Sequence, residues 1–173
     1  MIREKDIHFI SEKDIDIKYK RRDNLFVLYR KNGKVISMGL MEKSRVNRDL
    51  ANEFSHEKKN NDIVANRYYY SCFQKLLHLA QSKYEYSVNK DEGSSHTALI
   101  NFIEEEINKA MSDEKKRMKL LRAKNIKSNF KNLKNYRVQA DYKAESLTND
   151  NIIEIKKFVK DFDNSFQTIL QEL

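Results

Sequence analysis

The chain has 173 residues, a formal net charge of +8, no proline and three glycines. That length suits one domain with a substantial core, and the shortage of turn formers excludes a turn-rich β-sandwich in favour of long helices. The single cysteine, Cys72, excludes an intrachain disulfide and leaves a Cys-based zinc site without support. The basic balance favours a polyanionic partner such as nucleic acid. No apolar run reads as a leader or a membrane span, so a cytoplasmic protein with no membrane contact is the expectation.

Residues 1–40 form an N-terminal extension with a β character. Ile15, Ile17 and Tyr19 alternate with polar residues. The apolar runs 24–30 and 35–38 flank Lys31-Asn32-Gly33-Lys34. Asn-Gly between apolar runs is a hairpin signal, because both residues tolerate positive φ. Two strands alone are marginally stable, so the hairpin is expected to pack on helices or on a second subunit.

Residues 41–173 read as an up-down helical bundle of about five helices, which makes the fold class mainly α. Val46, Leu50, Ala51 and Phe54 mark a first helix, roughly 41–58. A second runs from Ile63 to about Tyr84, with Tyr69, Phe73, Leu76 and Ala80 at helical spacing. Asn, Asp, Gly and Ser make 85–95 a loop. Ser94 or Ser95 can cap a third helix, whose core row is Leu99, Ile103 and Ile107. A fourth spans Lys115 to Arg137. Thr148 or Asn149 can cap a fifth, in which Ile152, Ile155, Val159, Phe162, Phe166, Ile169 and Leu173 form a stripe for bundle packing.

The chemistry-bearing residues cluster in three places. Three successive tyrosines, Tyr68, Tyr69 and Tyr70, cover most of a helix circumference, so at least one points inward. They read as core or boundary residues, or as a base-stacking surface beside Arg67. His96 opens the third helix on the row of Leu99 and Ile103, where a histidine is a cap or boundary residue, or a general base if a proton partner lies near. Arg137 continues the row of Ala123, Ile126, Phe130 and Leu133. An arginine on a core-facing stripe needs a partner, because its charge persists. A structural ion pair of Arg67 with Asp141 is the expectation for packing the second helix on the fourth.

No histidine spacing, Gly-rich phosphate loop or nucleophile elbow indicates a metal or cofactor site. Lys115, Lys116, Arg117, Lys119, Arg122, Lys124, Lys127, Lys131 and Lys134 occur with no acid among residues 115–135. This run is a solvated face or a phosphate-contacting surface, and contact of that kind is salt-sensitive and weakly sequence-specific.

Together, Ala65-Asn66-Arg67-Tyr68-Tyr69-Tyr70 with Phe73, Ser95-His96-Thr97 leading to Phe102, and Arg137-Val138-Gln139-Ala140-Asp141-Tyr142 resemble the HEPN superfamily of prokaryotic α-helical domains. The likeness follows an NRxYY … SH … RxxADY pattern and covers roughly residues 45–172. It implies a bundle that homodimerises, often with a functional cleft at the dimer interface. It further implies RNA as the substrate or ligand, and a setting in phage defence or toxin–antitoxin function. Many members are metal-independent ribonucleases; others are noncatalytic partners of nucleotidyltransferases. The nuclease members carry Arg, four to six residues, then His, whereas here Arg137 is followed, after four residues, by Tyr142. Arg3 and His8 satisfy that spacing outside the matching region and read as coincidence.

In the enzyme version, Arg137 stabilises phosphorane charge, Tyr142 orients or relays a proton, Asp141 lines the cleft and His96 is the alternative base. Lys115, Lys116, Arg117, Lys119, Arg122, Lys124, Lys127 and Lys131 hold the RNA backbone. In the noncatalytic version the same residues fix helix packing and an exposed face binds a nucleotidyltransferase or another defence protein. A basic DNA-binding regulator ranks last, because no helix-turn-helix spacing occurs.

Overall fold

The structure, a computed structural model, describes residues 9–12, 15–22, 25–29, 35–36, 39–57, 60–84, 86 and 95–173. It divides into a unit over residues 1–39 and a unit over residues 40–173.

The first unit holds β1 (Phe9–Glu12), β2 (Ile15–Arg22), β3 (Leu25–Tyr29) and β4 (Val35–Ile36). They form an antiparallel sheet in the order β1-β2-β3-β4. Ile10 pairs with Ile17, Tyr19 with Leu28 and Tyr29 with Val35. The Asn32-Gly33 turn, Arg3 and His8 lie outside the described residues.

The second unit is a helical bundle of α1 (Leu40–His56), α2 (Asn61–Tyr84), α3 (Ser95–Ala110), α4 (Glu114–Ala123), α5 (Ile126–Tyr142) and α6 (Asn149–Glu172). Helix α2 is its axis and packs on α1, α3, α5 and α6. Its sequence explains this: Val64, Ala65, Tyr68, Tyr69, Cys72, Leu76, Leu79 and Ala80 are all buried, so apolar residues occupy most of its circumference. The rings of Tyr69, Phe130, Phe162 and Phe166 run through the centre, with successive centroids 5.2, 6.3 and 6.2 Å apart. Offset aromatic contacts at such distances add to area burial.

Caps fix the helix ends. Asn60, at a φ of 44°, accepts a hydrogen bond from the Ile63 amide and starts α2; asparagine is among the few residues that tolerate this left-handed conformation. Asp113 accepts from the Lys115 amide and starts α4. Thr148 and Asn151 form a reciprocal capping box at the start of α6. Just before it, the Leu147 amide donates to Asp62 and its carbonyl accepts from Asn61, which ties the α5–α6 connection to the start of α2.

The continuous helix expected over 115–137 is two helices, with Lys124 and Asn125 between them. The buried positions Leu120, Ala123 and Ile126 are three residues apart, tighter than the 3.6-residue α repeat. A straight helix would rotate Leu120 away from the face that buries Phe130 and Leu133. The chain compensates with a tighter turn, in which the Lys124 amide donates to the Leu121 carbonyl. Among the described residues, no helix is long and apolar enough to cross a membrane.

Candidate functional site

The three segments singled out in the sequence meet at one edge of the bundle. Helix α2 supplies Asn66, Tyr69, Tyr70 and Phe73, whose spacing of three and four residues puts them on one face. The start of α3 supplies His96. The end of α5 supplies Lys134, Arg137 and Asp141, again on a single row, with Tyr142 beside them.

Arg137 is half-buried and pairs with Asp141 one turn along its own helix, at 2.8 Å. It also donates to the Tyr70 hydroxyl at 3.3 Å. Its guanidinium lies 5.9 Å from the Tyr70 ring centroid and 5.8 Å from that of Tyr142, within cation–π range. Burial works against the charge, but the oxygens of Tyr70, Asp141 and Tyr142 outweigh it and hold Arg137 above its ordinary pKa. Asp141 also accepts from the Asn66 amide at 2.8 Å. Two buried polar atoms in this group, Arg137 Nε and Asn66 Oδ1, have no hydrogen-bond partner among the described residues.

Asp141 therefore finds its cation in Arg137, and the expected pairing of Arg67 with Asp141 is replaced. Arg67 points towards α1, where it donates to Asn47 Oδ1 at 3.1 Å. The physical reason is helical phase: Asn66 and Tyr70 face α5, and Arg67, one position on from Asn66, is turned about 100° away from it.

His96 sits deeper. Its Nδ1 lies 2.6 Å from the Tyr69 hydroxyl, and its ring packs on Phe73 at 4.2 Å. Burial, reinforced by Tyr70, pushes the Tyr69 phenol well above its ordinary pKa. The phenol therefore keeps its proton and shares a hydrogen bond with His96 Nδ1. Burial first, and then the nearby Lys134 and Arg137 charges, lower the His96 pKa to about 4. At neutral pH, His96 is a neutral imidazole whose Nδ1 is engaged in a hydrogen bond with Tyr69.

Tyr68 and Tyr69 are buried and offer no stacking face, while Tyr70 is half-buried beneath Arg137. Tyr142, at 74% exposure, and Val138 form the outer edge of the cluster. Of the basic run, Lys115, Arg117, Lys119, Arg122, Lys124 and Lys131 are exposed, and Lys116 and Lys127 are half-buried. Lys119 pairs with Glu172, and Lys127 with Glu104. The break before α5 divides the run. Its second part, Lys127, Lys131 and Lys134, makes one row leading to Arg137, and Lys134 donates to Thr97 beside His96.

No protein-family model, curated protein or solved structure matches this chain.

Among the described residues, no group of three or more His, Cys, Asp or Glu side chains is arranged to hold a metal ion. Sequence reasoning missed Asn66 and Tyr70 as the partners of Asp141 and Arg137, and it missed the Tyr69–His96 pair. The signal was present in the spacing: positions 66, 69, 70 and 73 form one helical face, and polar groups on a face that packs against another helix must find partners there.

Proposed function

We propose that the helical unit is a HEPN-like RNA-engaging bundle of phage-defence or toxin–antitoxin type. In this reading it works as a homodimer whose cleft includes Arg137, Asp141 and Tyr142, and a nucleotidyltransferase or another defence protein is a candidate partner. The β element within residues 1–40 is an added element in this reading. The observation that carries the reading is the convergence of Asn66 and Tyr70, His96, and Arg137 with Asp141 and Tyr142 at one edge, approached by the basic row of α5. Residues placed for helix packing alone would not require a cationic side chain with an unused donor there.

Binding fits this geometry better than cleavage. The Arg137 charge is matched within the chain by Asp141, and His96 Nδ1 is held by Tyr69. One observation favours the alternative of a metal-independent endoribonuclease. Arg137 Nε is unused, and the exposed Tyr142 lies beside the guanidinium. In that version the guanidinium face beside Tyr142 takes a phosphate while Tyr142 orients the attacking hydroxyl.

The test is incubation of a mixed RNA pool with EDTA, with RNA binding measured in parallel for wild type and Arg137→Ala. The expected result is no cleavage by either protein, and binding weakened by about tenfold in the variant, the scale of one charge-assisted phosphate contact. Cleavage lost in a folded Arg137→Ala protein would establish the nuclease instead. RNA binding absent from wild type would remove the RNA reading altogether.

A further inference from the structure

The break at Lys124-Asn125 gives α4 an outer face of its own. Helix α4 packs on α6 and α3 and buries Leu120 and Ala123. At about 100° per residue, Met118 falls on the opposite side, where it is 66% exposed, with Leu121 beside it at 38%. An apolar pair thus stands on the side of α4 that the bundle does not use.

The charges around that pair have no partners within the chain. Of the six arginines in the helical unit, Arg45 holds Glu42, Arg48 holds Asp163, Arg67 holds Asn47 and Arg137 holds Asp141. The side chains of Arg117 and Arg122, which flank Met118 and Leu121, make no hydrogen bond or ion pair among the described residues. The same holds for Lys115 and Lys124, and Glu114 is the one acid within the helix.

These features select among the occupants that suit a basic surface. Nucleic acid would take the cations through its phosphates but would leave Met118 and Leu121 in water, and α4 carries no aromatic ring for a base to stack on. A membrane surface takes up the apolar face of a helix, and the main apolar strip of α4 is already spent inside the bundle. A second copy of this face would set like charges against each other. A protein partner suits both halves of the surface. Methionine and arginine are enriched at protein interfaces, methionine adapts to irregular pockets, and guanidinium groups pair bidentately with carboxylates.

We infer that the outer face of α4 docks an acidic protein partner: Met118 and Leu121 enter an apolar pocket whose rim carries carboxylates for Arg117 and Arg122. The face lies on a different helix from the row that leads to Arg137, so this inference stands apart from the RNA reading of that edge.

The experiment is photo-cross-linking in cells of the source organism, with the full chain carrying p-benzoylphenylalanine in place of Lys115, at the rim of the face. A cross-linked protein counts only if, once purified, it binds the wild-type chain saturably. That affinity should fall about hundredfold in Arg117→Glu/Arg122→Glu and about tenfold in Met118→Ala. All three residues are exposed, so circular dichroism should show an unchanged fold. Changing the partner's carboxylates at the cross-linked segment to lysine should restore binding to the double arginine variant. Adducts with RNA, with lipid or with a second copy of the chain, or no protein adduct at all, would overturn the inference. A purified partner bound equally by wild type and both variants would overturn it as well.

Discussion

His96 is half-buried, with its ring against Phe73, and the Lys134 and Arg137 charges stand close by. Each of these disfavours the imidazolium. The His96 pKa of about 4 in the folded chain lies below the ordinary histidine value of about 6.5 expected in the unfolded chain. Between those values the unfolded chain binds a proton that the folded chain refuses. The His96 contribution to stability is therefore complete above the unfolded value and is lost as pH falls towards the folded one. Urea midpoints measured from pH 7 down to pH 4 should fall, and His96→Gln should flatten that slope. Allowing for the ring's partial exposure, the difference is on the order of 1 kcal/mol. An unchanged slope in the variant would show that His96 does not hold its neutral form in the folded protein. Arg137 obeys the same physics with the opposite result, since its charge is kept and partners are brought to it.

At the scale of elements, helix ends decide much of the geometry. The Thr148–Asn151 capping box satisfies amides at the start of α6, and the adjacent Leu147 is clamped by Asp62 and Asn61. Thr148→Ala should lower stability by about 1 kcal/mol, read as a reduced urea midpoint with an unchanged m-value. Sequence patterning made α1, α2, α3 and α6 legible to within a few residues, because their apolar rows and capping residues agree. It failed at Lys124-Asn125, since a periodicity count registers apolar spacing but does not register that three-residue steps force a break. Asp163 shows a similar limit. It stands on the buried row between Val159 and Phe166, the same signal that drew attention to Arg137. Its meaning depends on Arg48 and Lys75, which are distant in sequence.

For the whole molecule, the net charge of +8 acts through particular side chains. Glu172 and Glu104 already neutralise Lys119 and Lys127, whereas Lys131 is exposed on the row that leads to Arg137. If RNA follows that row, Lys131→Gln should reduce the slope of log affinity against log salt by about 0.7, the value for one phosphate contact on a single strand. Lys119→Gln should change it less. Equal slopes in both variants and wild type, measured by fluorescence anisotropy across salt concentrations, would place the RNA elsewhere. By itself the sequence determined that the chain is mainly helical, which rows are buried, and that Arg137 on a core row demands compensation. Those properties follow from local periodicity and from the cost of burying charge. Only the tertiary structure decided that Tyr70 meets Arg137, that Asn66 meets Asp141, that Arg67 turns to Asn47, and that Tyr69 hydrogen-bonds His96. Each depends on the rotational phase of one helix against another, and packing sets that phase.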